Sequence, residues 1–279
     1  MRLYWIDAFA DAVGSGNPAA VIPLGSAPFP TDAMCQRIAF ENGLSETAFY
    51  RSTSPGHYHL RWFTPEREVD LCGHATLASG FVALRCDETG PDYGGAHVIF
   101  DTISGPLHVR GIGKNTMQLL FPARPSVAFL ETEIPLILFD ALGLPRSAAL
   151  YVGKARDYLI EVSTPEQVLA LKPDFNLLAT VTDALCVIVT SKTHLSSTEG
   201  PHVVSRVWCP GCSVPEDFVT GSAHCTIMPF FAEKLGLQKI VCRQASARGG
   251  TLICEMLDGG SVVSIQGTAV LYMKGEIFV

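Results

Sequence analysis

A chain of 279 residues is longer than a single hydrophobic core usually grows, and it divides comfortably into two domains. With 48% hydrophobic and only 17% charged residues it reads as a core-rich globule, which excludes a disordered or charged-tail protein. Its 20 Lys and Arg against 27 Asp and Glu leave a net charge of −7 with no basic cluster, so no nucleic-acid partner is expected.

In chain order, residues 1–11 carry Arg2 and Asp7 and no long apolar stretch, which does not fit a secretory signal. Apolar runs such as 136–139 and 184–189 are far shorter than the ~18 residues a spanning helix needs, so neither a membrane span nor a membrane partner is expected and the protein reads as cytoplasmic. Residues 16–21, Gly-Asn-Pro-Ala-Ala-Val, form a turn into a strand. Residues 44–49, Leu-Ser-Glu-Thr-Ala-Phe, place the carboxylate of Glu46 in an apolar strand-like stretch. Burial there would favour the protonated carboxyl that proton transfer uses; an edge strand with Glu46 in solvent reads equally well from this segment alone. Trp62 is extended, a polar break covers 64–70, and Cys72-Gly73-His74-Ala75 opens an apolar helix running through Leu77, Phe81 and Leu84. A hairpin follows, with strands at 105–110 and 116–121 around a turn at 111–115.

The Pro-bearing stretch 121–126 suits a linker, which divides the chain into residues 1–122 and 123–279, the last strand being free to pack back on the first half. Beyond it come a helix at 134–142 stopped by Gly143 and Pro145, a strand at 158–162 and a short helix at 165–171. The pattern of the first half then recurs. Val207 and Trp208 are extended, a break covers 210–217, and Thr220-Gly221-Ser222-Ala223 opens a helix through Ile227, Phe230, Phe231 and Leu235. Pro229 must lie in its first turns or kink it. A second hairpin spans 250–255 and 261–266 around a turn at 258–260. The chain is therefore α+β and duplicated, each half strand-rich around one apolar helix.

Backbone N–H groups at the two helix starts would hold an anion such as a carboxylate or enolate, with Gly73 and Gly221 allowing close approach. Glu216 and Asp217 precede the second start, where charge complementarity to a helix N-terminus explains them as well as function does. The nine cysteines form no disulfide framework, and Cys209-Pro210-Gly211-Cys212 lacks the second ligand pair that zinc requires, so it reads as a loop and no metal is expected. His57, His59, His97, His108, His194 and His202 show no ligand spacing, and His224 reads as helix packing. No dinucleotide or phosphate-loop glycine pattern is present, and no cofactor is expected.

Five ordered motifs carry a resemblance: Gly16 to Ala20, Leu44 to Thr47, Arg61 to Pro65, Leu71 to Thr76, and Glu216-Asp217 through Thr220-Gly221-Ser222-Ala223-His224. Together the set resembles the PhzF-like (phenazine biosynthesis) isomerase family from end to end. The resemblance implies a diaminopimelate-epimerase-like fold, with two pseudo-symmetric β-barrel-like halves each wrapped around a central helix and the active site between them. It implies Glu46 as general acid/base, with His74, Asp217 and Ser222 assisting the proton movements. Gly73, Ala75, Gly221, Ala223 and Asn17 would bind substrate. Phe218 stands where the family commonly has Pro. Relatives on this fold that racemise with two thiols carry one at each helix start. Cys72 fills the first position, but its counterpart is Thr220, or Phe218 or Asp217 if the register slips. Two-thiol racemisation is therefore disfavoured, while a helix N-terminus would lower the pKa of Cys72. The expectation is a cofactor-independent isomerase of a small, anionic, carboxylate-bearing metabolite, a possible homodimer. The alternatives are a racemase, epimerase or lyase on the same fold, and a catalytically silent binding or scaffold protein.

Overall fold

The computed structural model describes residues 1–86, 96–193, 200–210 and 215–279. The first part of the chain contains β1 (Arg2–Ala8), β2 (Asn17–Pro23), α1 (Asp32–Asn42), β3 (Glu46–Ser54), β4 (His57–Phe63), β5 (Glu68–Val69), α2 (Gly73–Phe81), β6 (His97–Thr102), β7 (Gly105–Gly111) and β8 (Thr116–Pro122). There follow β9 (Val127–Ala128), α3 (Ile137–Leu142), β10 (Ala149–Lys154), β11 (Tyr158–Val162), α4 (Pro165–Ala170), α5 (Phe175–Leu178), β12 (Val187–Lys192), β13 (Val203–Trp208), α6 (Gly221–Leu235), β14 (Lys239–Gln244), β15 (Gly250–Leu257) and β16 (Val262–Glu276). The chain forms two compact units, Met1–Phe121 with Ser264–Val279, and Pro122–Val263.

In the first unit the strand order β1-β2-β3-β4-β6-β7-β8-β16 closes on itself, because β1 also pairs antiparallel with β16 from Arg2↔Glu276 to Ala8↔Ala269. Closure leaves no edge strand on this path. Glu46 therefore begins an interior strand, β3, paired parallel to β2 with Ala19 opposite Glu46, which removes the edge-strand reading. All nine residues of α2 are buried. A helix buried on every side needs walls on every side, and α2 packs against β1, β2, β3 and β7. Gly80 makes this fit possible: a Cβ there would lie 2.4 Å from Val109 Cγ1 on β7. Outside the barrel, α1 starts at Thr31, whose side chain caps Met34 N, and presses Cys35, Ile38 and Ala39 onto a cluster with Ile22, Phe49 and Phe63.

In the second unit the strands run β15-β14-β13-β12-β11-β10-β9, and α6 packs against β14 and β15. Its pairings repeat those of the first unit. From β1 to β7 they alternate antiparallel, parallel, antiparallel, parallel, antiparallel, and from β10 to β15 they do the same. Within each series a helix precedes each parallel partner, α2 standing to β4 and β6 as α6 stands to β13 and β14. Strand β11 shows no inside–outside alternation: it is buried throughout, Tyr158 to Val162, as expected for a strand covered on both faces.

Pro229 lies inside α6, which runs through it to Leu235, so it occupies the interior and not the first turns. The carbonyl it cannot satisfy is that of Cys225, four residues back, and Arg124 N–H donates to that oxygen at 2.8 Å. The linker-side main chain thus replaces the missing helix bond. Among the described residues no helix is long and apolar enough to cross a membrane. The close approach at Gly80 makes a quantitative expectation: Gly80→Ala destabilises the protein by about 1–3 kcal/mol by overpacking against Val109, and Val109→Ala in the same chain recovers part of that loss. Chemical denaturation of the two single variants and the double variant measures the coupling; strictly additive losses would contradict the contact.

Candidate active site

The start of α2, the start of β3 and the start of β2 meet in the first unit and bring His74, Glu46 and Asn17 together. His74 Nε2 lies 3.1 Å from Glu46 Oε2, with the histidine side chain 6% and the glutamate 17% exposed. Both atoms are buried and neither has an aligned hydrogen-bond partner among the described residues, so their contact is a close ion-pair approach. On the other edge of the ring, Nδ1 is 3.2 Å from Asn17 Nδ2 and 3.5 Å from Cys72 Sγ. Ser45 Oγ donates to Asn17 Oδ1 at 3.5 Å, which turns the amide nitrogen toward the ring. Since that nitrogen can only donate, Nδ1 of the neutral ring accepts, and the ring proton sits on Nε2 facing Glu46. A second proton goes on Nδ1, where the Cys72 sulfur is the acceptor within reach.

Burial alone would hold the His74 imidazole neutral, but the Cys72 sulfur, as hydrogen-bond acceptor, and the Glu46 carboxylate beside it outweigh burial and lift its pKa well above the ordinary histidine value. Cys72 departs from expectation. Although it caps α2, it is fully buried, and desolvation reinforced by the Glu46 charge raises its thiol pKa where a helix N-terminus alone would lower it. It is a neutral thiol packed under the histidine. The ligating atoms of Glu46, Cys72 and His74 lie within 4.8 Å of one another, a mixed O, S and N set whose spacing could hold a metal ion. Gly73 and Ala75 are buried in the first turn of α2.

In the second unit the start of α6 is held by side chains that sequence reasoning did not single out. Thr220 caps α6 as Cys72 caps α2, so the repeat pairs those two positions. Thr220 Oγ1 donates to Asp217 Oδ2 at 2.6 Å. Buried Gln244, on β14, accepts from Thr220 N–H and donates to the Asp217 carbonyl, so one amide fixes the 217–220 turn. Ser222 Oγ accepts from Arg156 Nη2 at 3.0 Å, and Arg156 is gripped by Asp157 through Nε and Nη2. Asp157 is buried and also accepts Cys186 N–H. Burial would lower the Arg156 pKa, but Asp157 more than offsets it and the guanidinium stays charged. Gly221 and Ala223 are buried in the first turn of α6.

Other motif residues fall elsewhere. Glu216 forms a two-bond ion pair with Arg206, whose guanidinium lies 4.9 Å from the Trp208 ring, so it fastens the loop to β13 and plays no part in the Asp217 group. His224 is buried and bonded to the Thr220 carbonyl at 2.8 Å, consistent with helix packing. His202, half-buried, accepts Val241 N–H at Nδ1, while His97 and His108 stack on the surface of the first unit. Cys212 and His194 lie outside the described residues. Arg156 and Asp157 left one trace in the sequence, a charged pair directly before a wholly apolar strand start; Gln244 left none.

The family model described as phenazine biosynthesis-like protein matches residues 6–275. An uncharacterized isomerase of Pseudomonas aeruginosa is 40% identical over 281 residues, covering 99% of this chain and 98% of that protein. A crystal structure of a phenazine biosynthesis PhzC/PhzF protein from Clostridium difficile is 37% identical with a TM-score of 0.87, and each chain is covered completely. A probable proline racemase from Agrobacterium radiobacter is only 10% identical but superimposes with a TM-score of 0.63 over 100% of this chain and 93% of that one, a likeness of fold.

The raised proton affinity of His74 depends on its neighbours. Glu46→Gln removes the charge facing Nε2 while leaving the ring buried, so the His74 pKa falls, as read from imidazole ¹⁵N shifts across pH. The sign for stability follows: the protonated-histidine contribution is present below the unfolded value near 6.5 and is lost as pH rises through the raised folded value, and Glu46→Gln shrinks that pH-dependent part. An unchanged His74 titration in Glu46→Gln would show that the carboxylate does not hold the proton.

Proposed function

The chain belongs to the phenazine biosynthesis-like family and is an isomerase, and we propose that it moves a proton between two carbons of a small carboxylate-bearing metabolite with Glu46 as the general acid/base. The observation that carries this reading is the pair of orphaned buried atoms, Glu46 Oε2 and His74 Nε2, 3.1 Å apart. A carboxylate buried beside one N–H donor, with no further hydrogen bond to lose, is poised to take a proton from carbon and return it. His74, approached at Nδ1 by Asn17, which Ser45 orients, presents Nε2 to the carboxylate and stabilises the charged base as the proton leaves or arrives.

One base acting twice fits a proton that stays on one face of its substrate. The thiol positions argue in the same direction. Cys72 is a buried neutral thiol, and the residue that caps the second central helix is Thr220, so a two-thiol pair has no second member there. In the second unit Arg156, its charge balanced by Asp157, donates to Ser222 Oγ, which leaves the Ser222 hydroxyl hydrogen free to donate to an oxygen acceptor such as a substrate carboxylate. Asp217, Ser222 and the α6 start are assigned to holding the substrate, and Glu46 with His74 to moving its proton.

The test is isotope exchange. Incubated in heavy water with a panel of unsaturated and hydroxylated carboxylic acids, the enzyme should place deuterium on a carbon of its substrate, followed by ¹H NMR. Glu46→Gln should cut that rate by about 10²–10⁴-fold, whereas Cys72→Ser should keep it within about tenfold. Exchange that survives Glu46→Gln, or that disappears with Cys72, would overturn the assignment.

A further inference from the structure

We propose that Cys186 and Cys209 form a thiol–disulfide modification site in the second unit, closed by hydrogen peroxide and coupled through the main chain to the segments that carry Asp157 and Asp217. The two sulfur atoms lie 2.9 Å apart as reduced thiols. The ladder between β12 and β13 explains why. Val187 is opposite Trp208, so the residues just outside that pair, Cys186 and Cys209, face each other at the end of the two strands. Directly opposed residues in an antiparallel ladder have Cα atoms about 4.5–5.5 Å apart, inside the span of about 4.4–6.8 Å that a disulfide bridges. The bond therefore closes with side-chain rotation and no shift of strand register.

The chemistry balances with peroxide as oxidant. Cys209 is 7% exposed against 2% for Cys186, and as the more exposed residue its sulfur is assigned the first reaction with peroxide. As thiolate it attacks one peroxide oxygen, the O–O bond breaks, and hydroxide leaves and is protonated to water, giving a sulfenic acid. Cys186 sulfur, losing its proton, then attacks that sulfur; the S–O bond breaks and a second water leaves. Two thiols are oxidised by two electrons and one peroxide is reduced to two waters. Cys209 was read from the sequence as half of a Cys-x-x-Cys loop; among the described residues its sulfur meets that of Cys186, 23 residues earlier.

Both ends of this bond are tied to the groups at the α6 start. Cys186 N–H donates to Asp157 Oδ1, the carboxylate that grips Arg156 and through it reaches Ser222 Oγ. Cys186 C=O accepts Tyr158 N–H. Cys209 N–H donates to the Pro215 carbonyl, and Asp217 N–H donates to Val207 C=O on the same strand. A covalent link between the two sulfurs clamps both anchors at once, so it restrains the Asp157 and Asp217 segments together.

The site stands whether or not Glu46 is the base, and its test needs no substrate. The reduced full-length protein is treated with hydrogen peroxide, blocked with a thiol alkylator, digested without reductant and mapped by mass spectrometry. The expected result is a loss of two hydrogen masses carried by one peptide pair joining Cys186 to Cys209, reversed by dithiothreitol, retained in Cys72→Ser and absent from Cys209→Ser. Hydrogen–deuterium exchange of the oxidised protein should slow at the Cys186 and Cys209 amides, which serve as the anchors to Asp157 and Pro215. A disulfide joining Cys209 to another cysteine, or both thiols still alkylated when an exposed model thiol is fully oxidised, overturns the site; a joined pair with unchanged exchange at those amides overturns the coupling. Should Cys209→Ser fail to fold, the wild-type peptide map decides the question alone.

Discussion

The contact between Glu46 Oε2 and His74 Nε2 is the point on which the first unit's chemistry depends, and it exists because a barrel has been closed around a short helix. His74 is the second residue of α2, and every residue of α2 is buried, so the imidazole cannot relax toward water. Glu46 starts an interior strand one ladder step from the strand that begins with Asn17. The carboxylate, the imidazole and the amide are thus delivered by three backbone starts whose relative positions are set by strand pairing and helix packing. Desolvation then does the chemical part: charge placed beside a buried ring acts through little water, which is why the neighbours can lift the proton affinity of His74 against the burial that opposes it.

The same desolvation decides what Cys72 does. A thiol at the first position of a helix is ordinarily a reactive one, and its position predicts a lowered pKa. Here the thiol has no water around it and a carboxylate nearby, and these two effects win. The repeat gives the comparison its force, because Thr220 occupies the matching cap of α6. One position of the duplicated pattern carries a sulfur in a place where it stays neutral, and the other has a hydroxyl that donates to Asp217 at 2.6 Å. The two helix starts differ in their chemistry while sharing one backbone plan.

Much of that plan was legible in the sequence. The central helices, the 105–121 hairpin, the strand at 158–162 and the duplication follow from apolar periodicity and turn residues, which act locally. What could not be read comes from groups that act at a distance along the chain. Glu46 looked equally like a solvent-facing edge residue, and only the pairing of β3 with β2 on one side and β4 on the other makes it interior. Gln244 fixes the 217–220 turn from 24 residues away, and no local pattern marks a glutamine for that task. Arg156 and Asp157 stood out only weakly, since a charged pair before a strand usually faces solvent, whereas here Asp157 is buried and shared between Arg156 and Cys186 N–H.

Pro229 shows how such distant groups also settle local questions. From sequence it had to lie near the helix start or bend the helix, because an interior proline sacrifices a hydrogen bond and crowds the preceding turn, at about 3 kcal/mol or more. The helix nonetheless continues through it. The bond that α6 cannot make is made by Arg124 N–H, from the stretch read as a linker, to the Cys225 carbonyl. The segment that follows β8 is therefore bound to α6 where the helix is weakest, and α6 carries Ser222 one turn earlier. The linker and the proline compensate each other: with the proline in place the carbonyl is available, and with the linker docked on it the first turns of α6 keep the geometry that Arg156, Asp157 and Gln244 hold from the other side.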